Sequence, residues 1–347
     1  MKNYVFISSG YRGGATKFIE QHINYLKKQK IKAITLIDDN PYKTYAGFNF
    51  NGISIIQLPI NNKYFYSNNK LKIFFKKKNN INIFITNFTI YIKYFFLLFY
   101  LQKNNAKILL TIHSGLLNFT FKNFIAAFLF SLLSKKIDFL YFGSSSARDW
   151  WFSYFPWFFK KKYKIIYNGV DIPKKIFLLK KSNRLNVSFV GRFESENNPE
   201  LFLRLAKESF FVNGTFDFHM FGDGSLLSSL KKEYSSYAQF YNWRSLEEIY
   251  KITDVLVITS NVNNFPYVAL EAKSYGVPVL SCSKGDISKI IKNNKDGYLI
   301  SSSDPRTLLE YLNKIKKNFH FLVKNSLKNR HAFNINNACN KFWHSVL

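Results

Sequence analysis

Residues 254–282 read as strand, loop, helix and strand, and this order constrains the fold more than any other part of the sequence. Residues 255–258 form a short, apolar, β-branched run of the kind that occupies buried parallel strands. Pro266 suits the first turn of a helix, because the N–H group that proline lacks would be unpaired there in any case. Gly276 indicates the end of that helix, and the apolar residues 277–280 resume as a strand. The pattern therefore predicts an α/β fold.

The predicted helix begins where the preceding strand ends, so its N-terminus lies at the carboxyl end of that strand. Free backbone N–H groups and the helix dipole make such an N-terminus favourable for an anion such as a diphosphate. Glu271 lies further along the same helix, where a carboxylate can accept hydrogen bonds from the hydroxyl groups of a ribose. Together these features predict a nucleotide site.

This stretch resembles the nucleotide-sugar site of retaining glycosyltransferases of the GT-B fold, family-4 type. The usual pattern there is Ser-x-x-Glu-Gly-Phe-Pro-x-x-x-Leu-Glu-Ala, followed by Gly-x-Pro-Val. In that family the second Glu holds the ribose and the first contacts the sugar. The resemblance therefore assigns the ribose to Glu271 and the sugar to Asn263, which stands in place of the first Glu. The residues in register are Ser260, Phe265, Pro266, Leu270, Glu271, Ala272, Gly276, Pro278 and Val279.

A second segment, residues 191–200, follows the family pattern Gly-Arg-x-x-x-Glu-Lys-Asn-Pro-Glu. Arg192 keeps the arginine of the pattern, and a planar guanidinium can hold diphosphate oxygens through two parallel hydrogen bonds. The alternative for Arg192 is a surface ion pair. Asn197 stands where the family has a lysine that is its second phosphate contact.

The resemblance implies further contacts to the donor. Trp243 and Arg244 fall where the family contacts the nucleobase. His113 follows a predicted strand and falls where the family often contacts the donor sugar, although a histidine bonded to local backbone is the alternative. Gly13 and Gly14 match the N-terminal glycine-rich loop of the family, although an ordinary turn between strand and helix explains them as well. The remaining donor-binding candidates are Asn197, Gly222, Asn264, Phe265, Pro266 and Tyr267.

Positive charge is concentrated in the first half of the chain. Residues 1–170 carry 25 Lys and Arg residues against 5 Asp and Glu residues, whereas residues 171–347 carry 25 against 16. Such a field attracts nucleic acid, anionic membranes or phosphorylated substrates. Aromatic residues beside lysines in residues 150–164 suit a membrane interface, although an aromatic core cluster with a solvated lysine tail explains them as well. The candidate membrane contacts are Trp150, Trp151, Trp157, Lys160, Lys161 and Lys162.

At 347 residues the chain is long enough for two α/β domains. Residues 168–171, Asn-Gly-Val-Asp, form the usual junction of the family. We therefore predict an N-terminal, acceptor-side Rossmann-like domain over residues 1–168 and a nucleotide-sugar-binding one over residues 169–330, facing each other across a cleft. Residues 331–347 are expected to form a helix that returns to the first domain.

The sequence predicts neither a signal peptide nor a membrane-spanning helix. The residues after Met1 read as a first strand. The most apolar stretches, residues 94–101 and 124–133, are shorter than the roughly 20 residues that a spanning helix needs. Cys282 and Cys339 show no metal-ligand spacing, so we predict free thiols, no metal site and no cofactor.

The function implied by the resemblance is transfer of a sugar, with retention, from a nucleotide-sugar donor to a lipid-linked or polysaccharide acceptor. The expected setting is bacterial surface polysaccharide (O-antigen, lipopolysaccharide or capsule) biosynthesis, with a cytoplasmic protein held on the inner face of the membrane. The alternatives are a catalytically inactive, sugar-binding relative, a nucleic-acid-binding basic protein and, less favoured, an epimerase of the same fold. We find no recognised nucleic-acid motif and expect no nucleic-acid partner. The candidate catalytic residues are Arg192, Glu271, Asn263 and His113.

Overall fold

The chain folds into two compact units. Unit 1 comprises Met1–Asn168 and Ala338–Leu347, and unit 2 comprises Gly169–Asn337. The chain thus returns to unit 1 at Ala338, later than the predicted position, residue 331. Gly13, Lys160 and Lys161 lie outside the described residues, as does the side chain of Asn263. The computed structural model describes residues 2–8, 14–31, 34–38, 53–57, 69–76, 80–86, 88–113, 121–134, 137–157, 162–177, 184–212, 214–282 and 284–345.

Unit 1 is an α/β layer structure built on a parallel sheet. Among its described residues the sheet has seven strands in the order β3-β2-β1-β4-β5-β6-β7. The central strands are buried apolar runs, as expected where helices cover both faces of a parallel sheet. Its elements are β1 (Asn3–Ser8), α1 (Gly14–Lys28), β2 (Ile34–Asp38), β3 (Ser54–Gln57), α2 (Asn69–Lys76), β4 (Ile81–Ile85), α3 (Phe88–Lys93), α4 (Phe95–Lys103), β5 (Lys107–Ile112), α5 (Phe121–Leu133), β6 (Phe139–Phe142), α6 (Ser145–Tyr154) and β7 (Tyr163–Ile165).

Unit 2 repeats this plan. Its described residues form a six-stranded parallel sheet in the order β10-β9-β8-β11-β13-β15, and β12 pairs with β14 beside it. Its elements are β8 (Leu185–Val190), α7 (Pro199–Val212), β9 (Phe216–Phe221), α8 (Leu227–Tyr234), β10 (Gln239–Tyr241), α9 (Leu246–Ile252), β11 (Val255–Ile258), β12 (Val262–Asn263), α10 (Tyr267–Ser274), β13 (Val279–Ser281), β14 (Lys284–Gly285), α11 (Ile287–Ile290), β15 (Gly297–Leu299), α12 (Pro305–Lys317) and α13 (Phe319–Asn329), with 3-10 turns at Ser195–Asn197 and Arg330–Phe333.

The last helix, α14 (Ile335–His344), carries the chain back into unit 1. Phe342 and Trp343 are buried there. Trp343 packs edge-on against Tyr4, with ring centroids 5.4 Å apart. The Tyr141 hydroxyl lies 2.8 Å from Ser345 Oγ. The end of the chain therefore belongs to the core of unit 1 and is more than a tail lying on its surface. No helix among the described residues has the length and apolar character needed to cross a membrane.

A buried ion pair fixes α10 within unit 2. Lys273 Nζ donates to Asp296 Oδ2 at 2.7 Å and to the backbone oxygen of Ile290 at 2.6 Å. The other oxygen of Asp296 accepts from the backbone N–H of Lys292 at 2.7 Å. Both charged side chains are almost wholly excluded from solvent. A buried charge needs such a partner, because its desolvation is otherwise uncompensated.

We expect Asp296→Asn to lower the free energy of unfolding of unit 2 by about 3–5 kcal/mol, because it leaves the Lys273 ammonium buried without a counter-ion. Arg306→Ala is the control, since it removes one partner of the exposed Arg306–Glu208 pair and should cost at most about 1 kcal/mol. Urea denaturation of the three proteins measures both effects. Equal losses from the two substitutions would contradict the account.

Candidate functional site

Three neighbouring strands of unit 2 end at one edge of its sheet. β9, β8 and β11 are adjacent and parallel, so the segments that follow them emerge on the same side. These segments are residues 191–198, 222–226 and 259–266. Ligands of open α/β sheets bind at this carboxyl edge. The two segments predicted to bind the nucleotide, 191–200 and 254–282, therefore lie together in the structure.

The first two of these segments pack backbone against backbone. Gly222 has φ +149°, and a Cβ atom there would lie 1.9 Å from the carbonyl oxygen of Gly191. Gly224 has φ +158°, and its Cβ would lie 2.6 Å from the carbonyl oxygen of Phe193. The N–H of Phe193 donates to the carbonyl oxygen of Asp223 at 2.8 Å. Gly222, a predicted donor-binding residue, thus has a packing role that sets the position of the segment carrying Arg192.

Arg192 extends from this segment with its side chain half exposed and forms an ion pair with Glu196, four residues later. Asn197 turns inward: its Nδ2 donates to the backbone oxygen of Arg192 at 2.9 Å. The backbone oxygen of Asn197 accepts from Thr259 Oγ1 at 3.0 Å, which ties the segment to the end of β11. The structure therefore uses Asn197 to hold the backbone beneath Arg192.

Sequence reasoning missed Glu194 as part of this arrangement. Its carboxylate accepts from the backbone N–H of Ser225 at 2.9 Å and from Ser225 Oγ at 2.6 Å. These hydrogen bonds, first from the side chain and then from the backbone, lower the pKa of Glu194. Glu194 thus joins the segment after β8 to the segment after β9. Its acidic side chain three residues after Gly191 was the available signal.

The helix α10 begins as the sequence predicts, with Pro266 as its N-cap in an extended conformation. Proline offers no side-chain acceptor, and the N–H groups of Ala269 and Leu270 point to the Pro266 carbonyl oxygen at 3.2 and 3.4 Å. Phe265, just before it, has φ +143°, a conformation that is strained for a residue with a side chain. Its buried ring packs on Phe333 with centroids 5.6 Å apart. Backbone strain of this kind is often found at ligand sites.

Glu271 is buried on α10, in the neighbourhood of two tyrosines. Tyr250 and Tyr275 stack with ring centroids 4.9 Å apart. Burial and then the negative charge of Glu271 raise the pKa of Tyr250 well above its ordinary value. The pKa of Tyr275 is raised by burial, then by Glu247 and Glu271. Glu271 is thus a buried carboxylate whose charge reaches both rings.

The other candidates of unit 2 flank this edge. Arg244 lies over the ring of Tyr241, with its guanidinium carbon 4.4 Å from the centroid. The Tyr241 ring stacks on Phe221 at 4.8 Å. Trp243, Asn264 and Tyr267 are partly buried. Asn263 belongs to β12, where it pairs with Gly285 of β14.

Residues 172–336 match a family model described as glycosyl transferases group 1. The match lies within the second unit of the chain, which is thus similar to glycosyl transferases group 1. This group 1 segment begins just after the start of unit 2 and ends just before the chain returns to unit 1. The predicted family resemblance is therefore confirmed.

One curated relative is the UDP-Gal:alpha-D-GlcNAc-diphosphoundecaprenol alpha-1,3-galactosyltransferase of Escherichia coli. It is 32% identical over 164 residues, which cover 41% of this chain and 42% of the relative. The chain spans less than half the length of the curated relatives it matches first.

Two solved structures are similar over the whole chain. Sucrose-phosphate synthase from Thermosynechococcus elongatus has a TM-score of 0.80 at 16% identity, covering 100% of this chain and 98% of that one. Anabaena HepE in complex with UDP-glucose has a TM-score of 0.78 at 14% identity, covering 100% and 99%. At these identities the likeness shows the fold, which is that of GT-B glycosyltransferases. The predicted α/β class is thus confirmed.

His113 lies in unit 1, where it follows β5 as predicted. Its ring packs edge-on against Phe18, with centroids 4.8 Å apart, and Gly143 leaves room for it, because a Cβ there would lie 2.7 Å from His113 Nδ1. Its Nε2 is buried without a hydrogen-bond partner in the described structure. His22, on α1, lies closer to Phe18, with ring centroids 4.0 Å apart, and its Nδ1 also has no hydrogen-bond partner among the described residues. Gly14, another candidate, is the first residue of α1.

The predicted membrane contacts of residues 150–164 divide into different environments. Trp151 is fully buried and packs edge-on against Phe88 at 5.2 Å and Phe130 at 5.3 Å, so its assignment as a surface contact is wrong. The helical spacing of α6 turns this residue inward. Trp150 is partly buried, whereas Trp157 and Lys162 are exposed.

We expect unit 1 to lose stability as the pH falls below about 6.5, because His22 and His113 remain neutral in the folded protein. Burial first, and the charge of His113 second, lower the pKa of His22 to about 3. Burial lowers the pKa of His113 to about 4. The unfolded chain binds both protons near the ordinary value of 6.5. Stability is therefore complete above that pH and is lost as the pH falls toward the folded values.

His22→Leu removes one of these titrating groups. Both proteins should lose stability between about pH 7 and pH 4. The loss of unfolding free energy in the variant should be smaller than that in the wild type by on the order of 2–3 kcal/mol. His344→Leu, at an exposed position of α14, is the matched control and should keep the wild-type dependence. Urea denaturation at each pH makes the comparison. The same pH dependence in all three proteins would show that His22 is not the titrating group.

Proposed function

We propose that the chain is a retaining glycosyltransferase that moves a sugar from a nucleotide-sugar donor to a lipid-linked or polysaccharide acceptor. The observation that carries this proposal is that Arg192 and helix α10, which begins after Pro266 and carries Glu271, follow the adjacent parallel strands β8 and β11. The names of the relatives support it, since one is a galactosyltransferase with a UDP-Gal donor and one structural neighbour holds UDP-glucose.

Arg192 and the N-terminus of α10 offset the negative charge of the donor diphosphate. A guanidinium can bind two phosphate oxygens at once, and the helix dipole favours negative charge at this end. Both would stabilise the charge that develops on the departing nucleoside diphosphate. Arg192 is already paired with Glu196, so the diphosphate replaces that carboxylate or shares the guanidinium with it.

Glu271 receives the ribose hydroxyls, and Asn263 faces the donor sugar. An amide can donate and accept hydrogen bonds, so Asn263 can contact a sugar hydroxyl without the charge of a carboxylate. The family resemblance also assigns a donor-sugar contact to His113, whose buried Nε2 has no hydrogen-bond partner among the described residues. The nucleotide sugar is the substrate, and the proposed reaction uses no further cofactor. Retention follows the family resemblance, by front-face attack in which a donor phosphate assists deprotonation of the acceptor.

The proposed setting is bacterial surface polysaccharide synthesis, with the protein in the cytoplasm on the inner face of the membrane. The relative from Escherichia coli is named for a diphosphoundecaprenol acceptor, which is lipid-linked. The excess of 25 basic over 5 acidic residues in residues 1–170 supports attraction to an anionic surface. Nucleic acid is not a proposed partner. Retarded mobility of DNA or RNA at physiological salt would contradict this part.

An inactive, sugar-binding relative is the second candidate function, because asparagine stands at positions 263 and 197. The two functions differ in one observable. Transfer or hydrolysis of any nucleotide sugar by the purified protein would remove the second candidate, whereas binding without turnover of any donor would favour it.

We expect Arg192→Ala and Glu271→Gln to weaken nucleotide binding in different ways. Arg192→Ala should reduce affinity for UDP by about tenfold or more and leave uridine nearly unchanged, because only UDP carries phosphates. Glu271→Gln should reduce affinity for both by about tenfold, because both carry the ribose. Calorimetric titration measures the four affinities.

Arg306→Ala serves as the control in these titrations, because it removes an exposed guanidinium of the same unit that follows a different strand. Its affinities should equal those of the wild type. Equal loss of UDP and uridine in Arg192→Ala would disprove the phosphate role. Unchanged binding in folded Glu271→Gln would disprove the ribose role.

A further inference from the structure

From residue 124 onward, helix α5 of unit 1 is apolar on both its inner and its outer face. Its inner positions, including Ala126, Ala127 and Phe130, lie in the core of the unit. Its outer positions carry Ile125, 42% exposed, Phe128, 40% exposed, and Leu132, 47% exposed. Their spacing of three and four residues places the three side chains on one stripe of the helix. Residues 124–134 include no charged residue.

This outer stripe departs from the pattern of an ordinary surface helix. A helix that covers a core is apolar toward the core and polar toward water. Helix α12 of unit 2 follows that rule, since Arg306, Glu310 and Lys314 occupy exposed positions. A helix that is apolar all round belongs in a core or against lipid, and contiguous exposed apolar surface indicates an interaction site.

Trp157 extends the stripe and gives it an interfacial character. Its ring packs edge-on against Phe128, with centroids 6.0 Å apart, and it is 42% exposed. Its Nε1 donates to Ser131 Oγ at 3.0 Å, which holds the ring on α5. Tryptophan is favoured where an apolar phase meets water, because its ring is apolar and its N–H is polar.

The charge of the unit distinguishes a lipid surface from a second copy of the chain. Residues 1–170 carry 25 basic residues against 5 acidic ones. Two copies that met through this face would bring two strongly positive units together, which like-charge repulsion opposes. A membrane with anionic headgroups attracts the same charge and accepts the apolar side chains below the headgroups.

We propose that the outer face of α5, formed by Ile125, Phe128 and Leu132 with Trp157 at its margin, inserts into the surface of an anionic membrane. The lysines of unit 1 draw the protein to the headgroups, and the α5 face provides the part of the binding that salt does not release. This inference deepens the membrane location proposed above and places it on a helix other than α6. It is independent of sugar transfer.

The experiment is sedimentation with vesicles of phosphatidylglycerol and phosphatidylcholine, at low and at high salt. The wild type should bind in low salt and retain a salt-resistant fraction. The variant Ile125→Ser/Phe128→Ser/Leu132→Ser should lose at least about tenfold in partitioning and should be released fully by high salt. Phe210→Ser/Phe211→Ser is the matched control, because these aromatic residues of unit 2 are 60% and 69% exposed. It should bind as the wild type does.

If the α5 variant binds vesicles as well as the wild type does, insertion of the α5 face is disproved, while the membrane location of the protein still stands. Failure of the wild type to bind anionic vesicles would overturn both. Loss of a dimer in the α5 variant, measured by light scattering without lipid, would show that the face binds a second copy instead.

A second measurement does not depend on removing the apolar side chains. Phe128→Cys labelled with an environment-sensitive fluorophore should increase in emission and shift to the blue on addition of anionic vesicles. Phe211→Cys, labelled in the same way, should show no shift. Cys282 and Cys339 are buried, and labelled wild type corrects for any reaction there. No shift at position 128 in protein that sediments with vesicles would overturn the proposal.

Discussion

The candidate site depends on the close approach of two backbone segments, at Gly191 and Gly222. With only 1.9 Å between an added Cβ at Gly222 and the carbonyl oxygen of Gly191, no other residue type fits without moving the backbone. Gly224 sets a second close approach, against Phe193. Because Arg192 lies between these contacts, its backbone is fixed before any ligand arrives. Such fixation lets a guanidinium bind an anion with little ordering cost.

The rest of the site is held in the same way, by groups that do not themselves face a ligand. Asn197 and Thr259 join the segment beneath Arg192 to the end of β11. The buried ion pair of Lys273 and Asp296 fixes the C-terminal end of α10. Pro266 is the N-cap at the other end of this helix. A preorganised site needs this kind of support around the groups that touch the ligand. The ion pair has a cost in desolvation, and it fixes a helix that carries Glu271.

Much of the fold could be predicted from the sequence, because buried parallel strands appear there as short runs of apolar residues. Residues 255–258 were predicted as a strand and have those bounds in the structure. The candidate site could be located because its residues occur at a fixed spacing in the sequence. The glycines and Pro266 indicate where the backbone needs a particular conformation, and Arg192 indicates positive charge. The hydrogen bonds of Asn197 and Glu194 could not be predicted from the sequence, because they depend on how the segments around them pack in the folded protein. Trp151 was misplaced for a related reason: composition marks an aromatic cluster, but only helical phase decides which ring is buried.

The central claim is that Arg192 and Glu271 hold the two ends of one nucleotide. A crystal structure of the protein with UDP tests it most directly. The account predicts diphosphate oxygens within hydrogen-bond distance of the Arg192 guanidinium and near the N-terminus of α10, with the ribose hydroxyls on the Glu271 carboxylate. A bound UDP whose phosphates leave Arg192 paired with Glu196 alone, or whose ribose does not reach Glu271, would contradict the account.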